Sequence, residues 1–183
     1  MGMVTSPSTP SSPAAASARS APLSPRTWLA LAGWLLLCFV AAGIGSVASV
    51  QAPQFYAQLV QPPWAPPPGV FGPVWSVLYT LMGIAAWLVW REPAGAARRH
   101  AIALFCAQLA LNALWSWLFF QWHLGAWALA DIALLGICVA ATFVAFLRLR
   151  PLAGLLLLPY LAWISFAGAL NYVLWRMNPG LLG

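Results

Sequence analysis

The sequence predicts an all-α membrane protein built as a five-transmembrane-helix bundle. Three observations carry that prediction. Of 183 residues, 63% are hydrophobic and only 5% charged, whereas a soluble domain averages roughly 25% charged residues. Five apolar runs are each long enough to cross a hydrocarbon core of about 30 Å, which takes roughly 20 residues. No stretch shows the alternation over about 10 residues that a barrel strand needs.

The five spans fall at about residues 28–50, 72–90, 101–122, 125–147 and 152–175. The last three connections are short, so successive helices are antiparallel neighbours. Residues 26–178 form one membrane domain, followed by a short C-terminal tail at 179–183. Residues 1–25, rich in Ser, Pro and Ala, read as a disordered tail. Its lack of acids and its Arg19 loosely match a transit peptide, and MGMVTS fits the myristoylation pattern.

Charge orients the bundle. All 8 basic residues are Arg, and the 2 acids are Glu92 and Asp131. A nucleic-acid partner is excluded, because only Arg98-Arg99 are clustered and a duplex binder needs several phosphate contacts. Arg19, Arg26, Arg91, Arg98, Arg99, Arg148 and Arg150 lie on the side of the N-terminus; Arg176 alone lies on the other. This positive-inside bias places the N-terminus in the cytoplasm of a bacterial inner membrane, with an outer or organellar membrane as the alternatives.

Conventional catalytic apparatus is missing from the pattern. Cys38, Cys106 and Cys138 stand singly on three spans, without a CxxC. His100 and His123 sit at opposite ends of the third span, about 30 Å apart at 1.5 Å per residue. No metal site is expected.

The chain instead has 12 tryptophans. Trp28, Trp90, Trp122, Trp127 and Trp175 stand at span ends and fit an interfacial belt. Trp75 fits less well, and Trp34, Trp87, Trp115, Trp117 and Trp163 lie deeper. Measured from the Arg-poor side at about 1.5 Å per residue, Trp75, Tyr79, Asn112, Trp115, Asp131, Trp163 and Asn171 all lie within roughly 5–18 Å. They converge in one half of the bundle. Spacing adds shared stripes: Asn112, Trp115 and Phe119; Trp75, Tyr79 and Gly83; Tyr160, Trp163, Ala167 and Asn171. Ala103, Ala107 and Ala110, or Gly45 and Ser49, read equally as helix-packing residues. Asp131 costs about 2.5–3.5 kcal/mol near a bilayer centre and less towards its edge. It therefore faces a cavity or ties its helix to the first or third span.

Over that half lies VQPPWAPPPGVFGPVW, residues 60–75, with six prolines and two glycines. Proline lacks a backbone donor and fixes φ, so the segment is stiff rather than helical or sheet-forming. It is also aromatic and uncharged, as suits a pre-ordered lid over a flat apolar ligand.

GPVWSVLYTLMGIAAWLVW (72–90), QLALNALWSWLFF (108–120) and PYLAWISFAGALNYVLWRMN (159–178) resemble the TspO/MBR family, the tryptophan-rich sensory proteins whose mitochondrial relative is the translocator protein, or peripheral benzodiazepine receptor. GAWALADIALL (125–135) fits as well, and the resemblance runs in order over residues 28–178. It implies a homodimer in membrane lipid that binds porphyrin or haem as ligand, needs no cofactor, and acts as sensor, carrier or scavenger in porphyrin metabolism. Light- and oxygen-dependent porphyrin degradation, using Trp75 and Trp163, is an alternative, as is sterol or lipid transport. Matched by motif, the ligand-binding residues are Tyr56, Trp64, Trp75, Asn112, Trp115, Trp163, Phe166 and Ala167, with Asp131 and Asn171 as further polar groups. Leu170, Tyr172 and Arg176 fit the proposed sterol pattern. The family often has WY where this chain has Phe55-Tyr56, and KPSW where it has Gln61-Pro62-Pro63-Trp64, which removes a basic contact to an anionic propionate.

The arginine asymmetry predicts that reporter fusions after Gly183 behave as non-cytoplasmic and fusions within residues 91–100 as cytoplasmic. The opposite pattern would reverse the assigned orientation.

Overall fold

The computed structural model describes Gly2 and residues 24–183, so nearly all of the expected tail lies outside the described residues. Five stretches, 25–48, 68–90, 96–121, 125–149 and 151–177, are long and apolar enough to cross a membrane. The helices are α1 (Pro25–Ala48), α2 (Ala52–Gln58), α3 (Phe71–Trp90), α4 (Ala96–Ser116), α5 (Gly125–Leu149), α6 (Pro151–Leu155), α7 (Leu158–Met177) and α8 (Pro179–Leu182). α1 packs on α3 and α4, and α5 lies between α4 and α7.

Four departures from the expected spans have local causes. Helix α4 begins at Ala96, so Arg98 reaches back to the carbonyls of Trp90 at 2.9 Å and Glu92 at 2.7 Å and closes the α3–α4 corner. The fifth span is broken between α6 and α7, because Pro159 has no N–H to give and its ring opposes the carbonyl four residues back. The connection between the first two spans contains α2, a helix outside the five expected spans, whose Phe55, Tyr56 and following Leu59 form a buried apolar edge. The segment 179–183, expected as a tail, folds back as α8, with Leu182 buried against Gly125. A Cβ on Gly125 would meet the Leu182 carbonyl oxygen and Trp175 Cδ1 at 2.8 Å, so only glycine allows that approach.

The Arg-rich end is closed. Trp87 donates its indole N–H to Thr27 O at 2.9 Å and stacks on Trp28, with Arg91 4.8 Å above its ring. Gly83 explains how close α1 and α3 come there: a Cβ would sit 2.7 Å from Leu35 Cδ2. It belongs to that helix contact and not to a cavity stripe with Trp75 and Tyr79. Arg150 pairs with Glu92 at 3.2 Å. Ala103, Ala107 and Ala110, read as packing residues, are instead exposed on the outer face of α4.

At the opposite end the α2–α3 connection is clamped. Asn178, just past α7, accepts from Val60 N–H at 2.7 Å and donates from Nδ2 to Val60 O at 2.9 Å and Leu174 O at 2.8 Å. Within the connection, Tyr56 donates to Pro66 O at 3.3 Å and Gln61 Nε2 to Tyr56 O at 2.5 Å. Phe55 stacks on His123, 4.0 Å between centroids, and His123 holds the left-handed backbone (φ 57°) that turns α4 into α5.

Asn178→Ala removes both bonds to Val60 and should cost about 1–3 kcal/mol, the penalty of unpaired buried groups. Hydrogen exchange at Leu59 to Gln61 should speed up while the amides of α5 keep their protection. Uniform loss of protection would mean that the clamp supports the whole bundle.

Candidate functional site

Beneath the clamped connection is a cavity of about 590 Å³. Each transmembrane segment gives it a wall for a local reason. From α3 come Trp75 and Tyr79, one turn apart; from α4, Asn112 and Trp115; from α5, Ile132 and Leu135 as an aliphatic floor; from α7, Trp163, Ile164 and Ala167. Helix α1 contributes Phe39 and the small residues Gly43, Gly45 and Ser46, while Tyr56, Pro53, Pro68 and Phe71 cover the top. None of these lining side chains is charged.

Two polar chains hold the walls at fixed spacing. The Tyr79 hydroxyl donates to Asn112 Oδ1 at 2.5 Å, and Asn112 Nδ2 donates to the Tyr160 hydroxyl at 2.9 Å, linking α3, α4 and α7. Trp115 donates its indole N–H to Asn171 Oδ1 at 3.0 Å, and Asn171 Nδ2 donates to Gly125 O at 3.1 Å, linking α4, α7 and α5. Aromatic rings fill the rest. Trp75 meets Trp163 edge-on with centroids 6.4 Å apart, and Phe71 meets both Trp163 and Tyr56 edge-on at 6.0 and 5.7 Å. Burial raises the Tyr56 hydroxyl above its ordinary pKa, so it stays a neutral donor to Pro66 O.

Of the residues matched by motif, Tyr56, Trp75, Asn112, Trp115, Trp163 and Ala167 line this cavity. Phe166 lines a smaller aromatic annexe of about 30 Å³ with Asn171 and Leu170. Trp64 does not enter either space; it is half-exposed and rests edge-on against Phe166, 5.8 Å away. Asp131 is buried but lines neither space, and its Oδ2 has no hydrogen-bond partner among the described residues. That departs from both roles the sequence offered, cavity lining and a helix tie. The sterol-like residues divide, since Leu170 points inward while Tyr172 and Arg176 lie on the exterior.

The stripe Asn112, Trp115 and Phe119 is also altered. Residues Trp117–Gln121 form a π-helical turn, in which one extra residue per turn shifts the facing side chain by about one position. Phe120 therefore joins Trp115 on the main cavity, while Phe119 stacks on Trp115 at 5.2 Å, is buried under Phe55 and borders only the smaller annexe. Sequence reasoning missed Phe39, Ser46 and Ser76 as lining residues. The usable signal was the small-residue run GIGS (43–46) at the outer end of the first span, of which the sequence reading singles out only Gly45, as a packing residue. Gly45 does pack, with a Cβ position 3.0 Å from Ser116 Oγ, yet it lines the cavity too.

The TspO/MBR family profile matches residues 34–176, which takes in three whole spans, most of the first and fifth, and the α2–α3 connection. The chain belongs to the TspO/MBR family. Among curated relatives, the human (Homo sapiens) translocator protein is 40% identical over 159 residues, covering 85% of this chain and 94% of that protein. The tryptophan-rich protein TspO of Chlorobaculum tepidum is 38% identical, covering 82% of this chain and 97% of its own length. The tryptophan-rich sensory protein of Cereibacter sphaeroides is likewise 38% identical, over 82% and 92%. The TspO/MBR match therefore spans the cavity-lining segments from α1 to α7, and the five apolar spans make the chain a multi-pass membrane protein.

Replacing Asn112 by Leu tests the polar chain of this TspO/MBR member. It strands the Tyr79 and Tyr160 hydroxyls in the core, at about 1–3 kcal/mol for each unpaired group. Thermal unfolding in detergent should occur at clearly lower temperature than in the native chain. An unchanged midpoint would mean that water or lipid replaces the amide.

Proposed function

We propose that this protein binds a flat tetrapyrrole, porphyrin or haem, in the bundle cavity and serves as a sensor, carrier or scavenger of it. The observation that carries the reading is the pair Trp75 and Trp163 lining one cavity of about 590 Å³ with no charged wall. Small-molecule sites span roughly 300–1,000 Å³ and are mostly apolar with a few placed polar groups. Indole faces suit a planar conjugated ring, whereas a flexible chain would gain less from them. The Asn112 chain offers polar atoms that meet ring nitrogens or substituents.

The reading includes a homodimer in a bacterial inner membrane with the N-terminus cytoplasmic. The exposed small residues Ala103, Ala107 and Ala110 on α4 support it, because small faces let two helices approach closely in lipid. A light- and oxygen-dependent degradation of the bound porphyrin is the second reading, favoured by two indoles that meet at the same cavity. The sterol reading draws less support, since Tyr172 and Arg176 face away from the cavity.

Protoporphyrin titrated into the purified protein should quench tryptophan emission with saturation. Trp75→Phe and Trp163→Phe should each reduce the quenching and weaken affinity a few-fold, as expected for stacking worth about 0.5–1.5 kcal/mol. Trp28→Phe, at the closed end, should bind as the native chain does. Equal weakening by Trp28 and Trp75 substitutions would remove the cavity from the account. A light-driven product above the yield of free porphyrin in detergent, lost in the Trp75 and Trp163 variants, would favour the degrading enzyme.

A further inference from the structure

The cavity is unevenly sealed. Its lining residues on α4, α5 and α7 are all buried or partly buried. The exposed ones are Phe39, Gly43 and Ser46 on α1, Gly72 and Ser76 on α3, and the two covering prolines Pro53 and Pro68. The opening is thus a slot between the outer halves of α1 and α3. From Phe39 to Ser46 it runs about 10 Å along the helix at 1.5 Å per residue. At the other end the same helices are in contact through Gly83 and Leu35 and through the Trp87–Thr27 bond.

The rim is thin and undemanding. Gly43 and Gly72 present no side chain, and a Cβ on either would meet nothing within 4 Å. The hydroxyls of Ser46 and Ser76 are bonded to their own helices, to Gly43 O at 2.8 Å and Gly72 O at 3.0 Å. No rim group is charged or seeks a partner, so the slot can face hydrocarbon without cost. The covering connection is the reverse. Opening it breaks the two bonds between Asn178 and Val60, the Tyr56–Pro66 bond and the Phe55–His123 stack.

We infer that the slot between α1 and α3 is the ligand's entrance, through which a flat aromatic molecule dissolved in the bilayer slides edge-on while the covering connection stays shut. Gly43, Ser46, Gly72 and Ser76 then set specificity by thickness: planar molecules pass, and molecules bulky in the third dimension do not. The inference uses the tetrapyrrole reading only for its kinetic probe.

Two measurements test it. In vesicles of phosphatidylcholine brominated on its acyl chains, the emission that Trp75→Phe removes is the emission of Trp75. Bromine should quench it in the native chain, because the slot admits acyl chains to that wall, and the variant Gly43→Leu/Gly72→Leu should protect it. Absence of quenching in the native chain overturns the slot, whether or not the double variant folds. In the second measurement protoporphyrin is preloaded into vesicles and its association is followed by tryptophan quenching. The double variant should slow association by about tenfold or more, as when a route must first be opened, and Asn178→Ala should not accelerate it. Unchanged association in the double variant, or faster association in Asn178→Ala, makes the covering connection the entrance instead. Protoporphyrin that fails to bind the native chain overturns the proposed function alone, and the bromine result still decides the slot.

Discussion

A polar side chain inside a bilayer has no water to return to, so it must find its partner within the protein. The chain has three asparagines, Asn112, Asn171 and Asn178, and all three are buried and bridge separate segments. Each amide both accepts and donates, which lets one residue join two others. Between helices that are otherwise apolar on every side, packing and such bonds are the only forces that select one neighbour over another. Their positions at the ends of α4 and α7 mean that the lid end of the bundle is held by directional bonds. The closed end relies on Gly83, Trp87 and the Arg98 corner.

That division explains why an open space of this size persists. A hydrocarbon core without polar ties would collapse onto its largest side chains until little void remained. Here the Tyr79–Asn112–Tyr160 and Trp115–Asn171–Gly125 chains fix the separations of α3, α4, α5 and α7. Rings set edge-on around them, such as Trp75 against Trp163, resist sliding into the gap. The rigid walls and the cavity they enclose have one cause.

Composition made the membrane class legible, and run length made the five spans legible to within a few residues, since hydrocarbon thickness dictates both. Depth counting placed Trp75, Asn112, Trp115 and Trp163 together because helical rise is nearly constant. What it could not reach was rotation. Asp131 has the right depth but does not line the cavity, and Trp64 carries the right residue type on a side of the connection that faces outward. The role of Asn178 depends on a contact with Val60, 118 positions away in the chain, which no periodicity encodes. Helix α2 was hidden because seven residues are too few for a periodic signal.

The π-helical turn at Trp117–Gln121 bears on how such a wall changes over time. It governs the phase of α4 downstream of Trp115, and phase decides that Phe120 borders the main cavity while Phe119 is buried under Phe55. Loss of a single codon in this turn would restore a regular α-helix and turn both rings by about one position around it, without altering either residue. The cavity surface is therefore written partly in length rather than in letters. Related chains with the same aromatic content but a different register here would present a different surface to whatever occupies the space.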